Sequence, residues 1–139
     1  MMKKSADWEQ KTHEHIAKYK QTGFAWGKWD CVRFTDAYIR SVTGVSAIPK
    51  GINWKDEKSA LEAILELGDN FPTTIKNVLK KNKLKIVKKE YAQVGDIVLF
   101  KEHEHLLGIY DGFTIQAVTE NGLVSKPLQL AKYIWRING

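Results

Sequence analysis

Near residue 83 the apolar residues of this chain change their spacing from three-and-four to two, so helices must come first and strands after. Before that point the helical period recurs in four blocks. Trp8, Thr12, Ile16 and Tyr19 form one face, behind Asp7 and Gln10 at capping-box spacing, and Gly23 is the expected stop. Cys31, Phe34, Tyr38, Ile39 and Val42 form a second face that Gly44 closes. A third helix is expected from Lys55 to Leu67, ending at Gly68-Asp69, and a short fourth begins at Pro72 and carries Ile75, Val78 and Leu79. After it, Leu84, Ile86 and Val87 open a strand, and Ile97 to Phe100 is an apolar run compact enough to be buried on both faces. Leu106–Tyr110 and Phe113–Val118 flank Asp111-Gly112 as a hairpin, Asn121-Gly122 is a second turn, and Tyr133–Ile137 alternates as a last strand. The expected class is α+β, with N-terminal helices packed on a C-terminal antiparallel sheet, in one domain over 1–139.

Charge and cysteine usage narrow the function classes. The 139 residues include a single cysteine, which excludes a disulfide-stapled mini-domain and leaves either a small core residue or a reactive thiol. The N-terminus becomes charged before any apolar run develops, so no signal peptide is expected and synthesis is cytoplasmic. No stretch approaches the roughly 20 apolar residues of a membrane span, so no membrane partner is expected. The formal charge of +6 owes much to Lys76, Lys80, Lys81, Lys83, Lys85, Lys88 and Lys89. Such a cluster is either a patch for an anionic partner or a solvated edge strand protected from aggregation. No aromatic residue interleaves the lysines, which argues against nucleic acid and for the edge strand.

The chemistry-bearing segment is Phe24-Ala25-Trp26-Gly27-Lys28-Trp29-Asp30-Cys31-Val32-Arg33-Phe34. An aromatic, glycine-containing loop runs into a helix whose first residue is the lone cysteine. A thiol there faces unpaired N–H groups and the positive end of the helix, which favours the thiolate. Burial against aromatic residues opposes that effect. Phe24, Trp26 and Asp30 are expected to line the groove, with Trp26 closing one end.

This order resembles the Tyr-x-Trp-Gly-…-Asp-Cys-Ser-Gly-Phe segment of the NlpC-type bacterial cell-wall endopeptidases. Val94–Phe100 resembles that family's Pro-Gly-Asp-Leu-Val-Phe-Phe strand, and Leu106–Gly112 its His-Val-Gly-Ile-Tyr-x-Gly hairpin. Thr114-Ile115-Gln116-Ala117 resembles its Met-Ile-His-Ala strand. The resemblance implies a papain-like fold, with Cys31 as nucleophile, a histidine as base and Gln116 in the place of the group that orients the imidazole. Gly122-Leu123, Pro127-Leu128 and Trp135-Arg136 further resemble a short subset of these proteins encoded in phage tail gene clusters. That implies a tail or virion protein as partner, association with the virion, and a wall-enzyme fold without a signal peptide.

One departure matters. Position by position, the family's catalytic histidine falls on Leu106, which cannot accept a proton. His105 is adjacent, but strand side chains alternate, so it is expected to point away unless a β-bulge near Glu104 turns it back. Val32 and Arg33 replace the family's Ser and Gly and are expected to crowd the site. Two functions follow: a structural or interaction module of a phage particle that keeps the groove without turnover, or a thiol peptidase cutting peptidoglycan peptides through Cys31, His105 and Gln116. No cofactor is implied. His13-Glu14-His15 is poorly spaced for a metal on a helix, and His103 with His105 supplies only two ligands on a strand, so no metal site is expected.

Overall fold

The computed structural model describes residues 2–20 and 30–138. Among them four helices precede six antiparallel strands: α1 Trp8–Tyr19, α2 Cys31–Thr43, α3 Glu57–Leu67, α4 Phe71–Lys81, β1 Lys85–Val87, β2 Ile97–Lys101, β3 His105–Tyr110, β4 Ile115–Thr119, β5 Gly122–Lys126 and β6 Ala131–Arg136. The sheet order is β1-β6-β2-β3-β4-β5, so the last strand is inserted between the first and second. The α+β class read from the hydrophobic period holds.

Local chemistry sets the element boundaries. Asp30, Asp56 and Asn70 each cap a helix by accepting a backbone N–H three residues on, and Gly44 closes α2 in a left-handed turn. The expected cap at Asp7 does not form, and the Gln10 amide donates instead to Glu14, one turn along. That helix ends at Tyr19, and Gly23 lies outside the described residues. The capping box belongs to α3, where Asp56 and Ser59 satisfy each other's backbone.

The sheet has two apolar faces. Ile97, Leu99, Leu107, Ile109 and Trp135 face the helices and pack with Phe34, Tyr38 and Ile39 of α2. Val98, Phe100, Ile115, Ala117 and Ile134 form the opposite core, covered by Ala92, Leu128 and Leu130. Ile97 to Phe100 are fully buried, as a strand covered on both faces must be. The β3–β4 hairpin differs from expectation. Its loop is 111–114, not two residues, because Asp111 folds back to accept the N–H groups of Phe113 and Thr114. Phe113 therefore sits in the loop, 87% exposed, rather than in the strand.

Two glycines of the motif-like segments have packing reasons. At Gly108 a Cβ would lie 2.5 Å from the Gln116 carbonyl oxygen, so β3 and β4 approach too closely for a side chain. At Gly95, with φ of +89°, it would lie 2.6 Å from the Tyr38 hydroxyl. The turn after Gly95 is locked from the other end of the chain. Asp96, 1% exposed, accepts from Arg136 Nε at 2.9 Å and Nη2 at 2.8 Å and from the Gln93 N–H at 2.8 Å. Arg136 Nη2 also donates to the Tyr91 carbonyl at 2.8 Å.

Candidate functional site

Cys31 is the first residue of α2, and Asp30 puts it there. The Asp30 Oδ1 accepts the Arg33 N–H at 2.8 Å, while Oδ2 accepts the indole N–H of Trp54. One carboxylate thus starts the helix and ties down the segment that follows α2. Asp36, on the buried side of α2, does the same further along, accepting from Ser46 Oγ and the Ala47 N–H, both at 2.7 Å. Neither Asp36 nor Trp54 stood out in the sequence. The only available signal for Asp36 was an acid inside an apolar helical face.

A cleft of about 430 Å³ opens beside Cys31. Asp30, Cys31 and Val32 form one wall, Ile48, Ile52 and Trp54 a second, and α3 and α4 a third through Ile64, Phe71 and Ile75. Glu104, His105 and Leu106 close one end. The lining is mostly apolar, which suits an aliphatic or aromatic group better than a charged one. Asp30 lines the cleft. Phe24 and Trp26, the other expected groove residues, lie outside the described residues. Of the two residues expected to crowd the site, Val32 enters the cleft. Arg33 lies over the Trp54 ring, 4.2 Å from its centroid, and donates to Asn53 at 3.1 Å.

The surroundings of the thiol disfavour its thiolate. Burial, above all, pushes Cys31 up to about 12, and the nearby charges of Asp30 and Glu104 push the same way. A backbone N–H from Leu107 lowers it only in part.

His105 is placed differently from expectation. It opens β3 opposite Lys101, and the β2–β3 register runs without interruption from Ile97↔Ile109 to Lys101↔His105, so no bulge re-aims it. None is needed, because regular alternation puts His105 on the face of Leu107 and Ile109, toward α2. Leu106 packs instead against the opposite core. Among the described residues His105 makes no side-chain hydrogen bond. Desolvation first, then the charges of Lys101 and Lys132, hold its imidazole below the ordinary histidine range.

Gln116 does not reach it. Gln116 pairs with Ile109, four residues along β3 from His105, or about 13 Å at the usual strand rise. Its buried amide nitrogen is 3.0 Å from Asp111 Oδ2, 2.9 Å from Thr114 Oγ1 and 2.7 Å from Ser125 Oγ. Those groups fix the β3–β4–β5 corner. Cys31 and His105 share a cleft, and Gln116 stands apart, so the three do not form a relay.

The remaining histidines have other surroundings. His15 is buried among Tyr19, Phe34 and Tyr38 and donates Nε2–H to the Phe34 carbonyl at 2.9 Å. Burial lowers it to about 4. His13 is exposed on another side of α1, so the pair does not converge. No helix among the described residues is long and apolar enough to cross a membrane.

A family model described as a domain of unknown function (DUF6950) matches residues 3–137. No curated protein matches the chain.

Proposed function

The chain belongs to the DUF6950 family, and we propose that it is a virion-associated structural or interaction module of a phage tail, on the resemblance of its Gly122-Leu123, Pro127-Leu128 and Trp135-Arg136 segments to short proteins of phage tail gene clusters. On this reading it has a papain-like, NlpC-type arrangement that has kept its cleft and lost turnover. One observation carries the reading: the cleft beside Cys31 is lined mostly by apolar side chains, and burial there pushes the thiol up to about 12, with the Leu107 backbone N–H lowering it only in part. A nucleophile must be a thiolate to attack, and loss of its base typically costs several orders of magnitude in rate. Partners on this reading are other tail or virion proteins, and the cleft beside Cys31 is a place for an apolar side chain rather than a scissile peptide.

A thiol hydrolase acting on peptidoglycan peptides is the second reading. The observation in its favour is that His105 lies on the α2 face of β3 and closes the same cleft as Cys31.

Iodoacetamide and purified peptidoglycan peptides separate the two. The module should alkylate slowly and incompletely at pH 6 and release no peptide fragments. Rapid alkylation abolished by His105→Ala, together with hydrolysis abolished by Cys31→Ala, would establish the hydrolase. Mass spectrometry of purified particles should find the chain among the tail proteins, and its absence there would remove the virion assignment.

A further inference from the structure

Two exposed patches of opposite charge lie on this chain, each with an apolar centre. The first is the solvent side of α3, at the rim of the cleft beside Cys31, which Glu57 and Leu61 also line. Leu61 and Leu65, one helical turn apart, are 55% and 70% exposed. Residues 56–69 hold five acidic residues and one lysine, and Glu57, Glu62, Glu66 and Asp69 are all exposed. Glu62 and Glu66 are spaced i,i+4, where like charges oppose helix formation. The second patch is the β1 edge. Ile86 is 70% exposed and pairs with Trp135, on whose ring Tyr133, 37% exposed, stacks at 5.9 Å. Residues 76–89 hold seven lysines and no acid; Lys85 precedes Ile86 and Lys88 lies two residues after it. The ion pairs among the described residues are Lys11–Asp7, Lys126–Glu102 and Arg136–Asp96, so neither patch is neutralised by its own chain.

The geometry points to head-to-tail self-association: we propose that the acidic, leucine-bearing side of α3 docks on the lysine-rich β1 edge of a second copy. Both patches are exposed in the same chain, so they do not meet each other within it. Each brings two apolar side chains to its centre and a rim charge opposite to the other's, Lys76 being held over the Tyr133 ring at 4.0 Å within the basic patch. That is the pattern of an interface with a dry centre and a charged rim that sets register. Because the surfaces differ, the contact is heterologous, and each copy keeps one free patch at either end of an assembly. The lysines then have two roles. They keep the short edge strand from pairing with other edges, and they select an acidic helix as its cover. This proposal rests on the surface alone and not on whether Cys31 reacts.

Sedimentation velocity of the full chain against concentration and salt tests it, with circular dichroism to check each variant's fold. The expected result is association at about 0.1 M salt that weakens at least tenfold at about 1 M, where the screening length falls from about 10 to 3 Å. Glu62→Lys/Glu66→Lys alone and Lys85→Glu/Lys88→Glu alone should each be monomeric. Mixed in equal amounts they should associate again, because each reversed patch then meets a complementary one on the other variant. A wild-type chain that stays monomeric at low salt would overturn the proposal. So would either variant associating like wild type, or a mixture that stays monomeric.

Discussion

Replacing Arg136 with leucine should remove about 3 kcal/mol of folding stability, and the structure shows where that number comes from. Among the described residues Arg136 supplies two of the three hydrogen bonds to the Asp96 carboxylate, at 2.9 and 2.8 Å. The leucine variant would leave a carboxylate 1% exposed with only the Gln93 N–H. Breaking a buried pair by removing one partner costs about 3–5 kcal/mol. The Arg136 side chain is 27% exposed, and water screens part of the interaction, which places the expectation at the low end. With a urea dependence of about 2 kcal/mol per molar, the unfolding midpoint should fall by about 1.5 M. Arg136→Lys keeps the charge and loses the two-pronged geometry, so it should lose about half as much. Asp96→Asn/Arg136→Leu should be more stable than Arg136→Leu alone, because the unpaired buried charge is gone. A midpoint shift below about 0.3 M for Arg136→Leu would refute the reasoning, as would a double variant less stable than the single. Either result would mean that water reaches Asp96 and the pair is worth no more than a surface one.

Gly95→Ala should cost about 3 kcal/mol, since the new Cβ demands an unfavourable φ and meets a Tyr38 hydroxyl already bonded to Thr12 in the core. A loss under about 1 kcal/mol in a denaturant titration would show that the turn relaxes freely. The low value of His15 makes a pH prediction. Its native imidazole stays neutral to about 4, while the unfolded one takes up a proton near 6.5. Stability is therefore full above about pH 6.5 and is lost as pH falls toward 4, by about 3 kcal/mol over the window. Urea midpoints at pH 7.5 and 5 should show this slope in wild type and a flatter one in His15→Gln. Equal slopes would place the loss elsewhere.

The legible parts of the fold were those that local chemistry decides. Gly44 stops α2 because only a residue tolerant of the left-handed region closes that turn, and Ile97–Phe100 is apolar at every position because both its faces are covered. The alternation of β3 was legible as well, but not which half of it faces α2. That depends on Leu99 pairing with Leu107 and on the helix docking over both, which are long-range facts. For this reason Leu106 looked like the residue opposite Cys31 when His105 holds that side. Asp36 and Trp54 carry no signal in the sequence for a similar reason: each finds its partner 10 or more residues away. The apolarity of Phe113 points to a strand, and the Asp111 side chain overrides it by building the loop.

The place of β6 between β1 and β2 gives translation an awkward order of events. Every helix and five of the six strands emerge from the ribosome before the strand that joins them. Until Ala131–Arg136 arrives, β2 has a bare edge of backbone donors and acceptors beside its most apolar residues, and β1 has no neighbour to pair with. A nascent chain in that state is a template for aggregation. Closure of the sheet therefore waits for residues 131–136, and a stop codon or protease cut just before residue 131 removes the middle of the sheet rather than its margin.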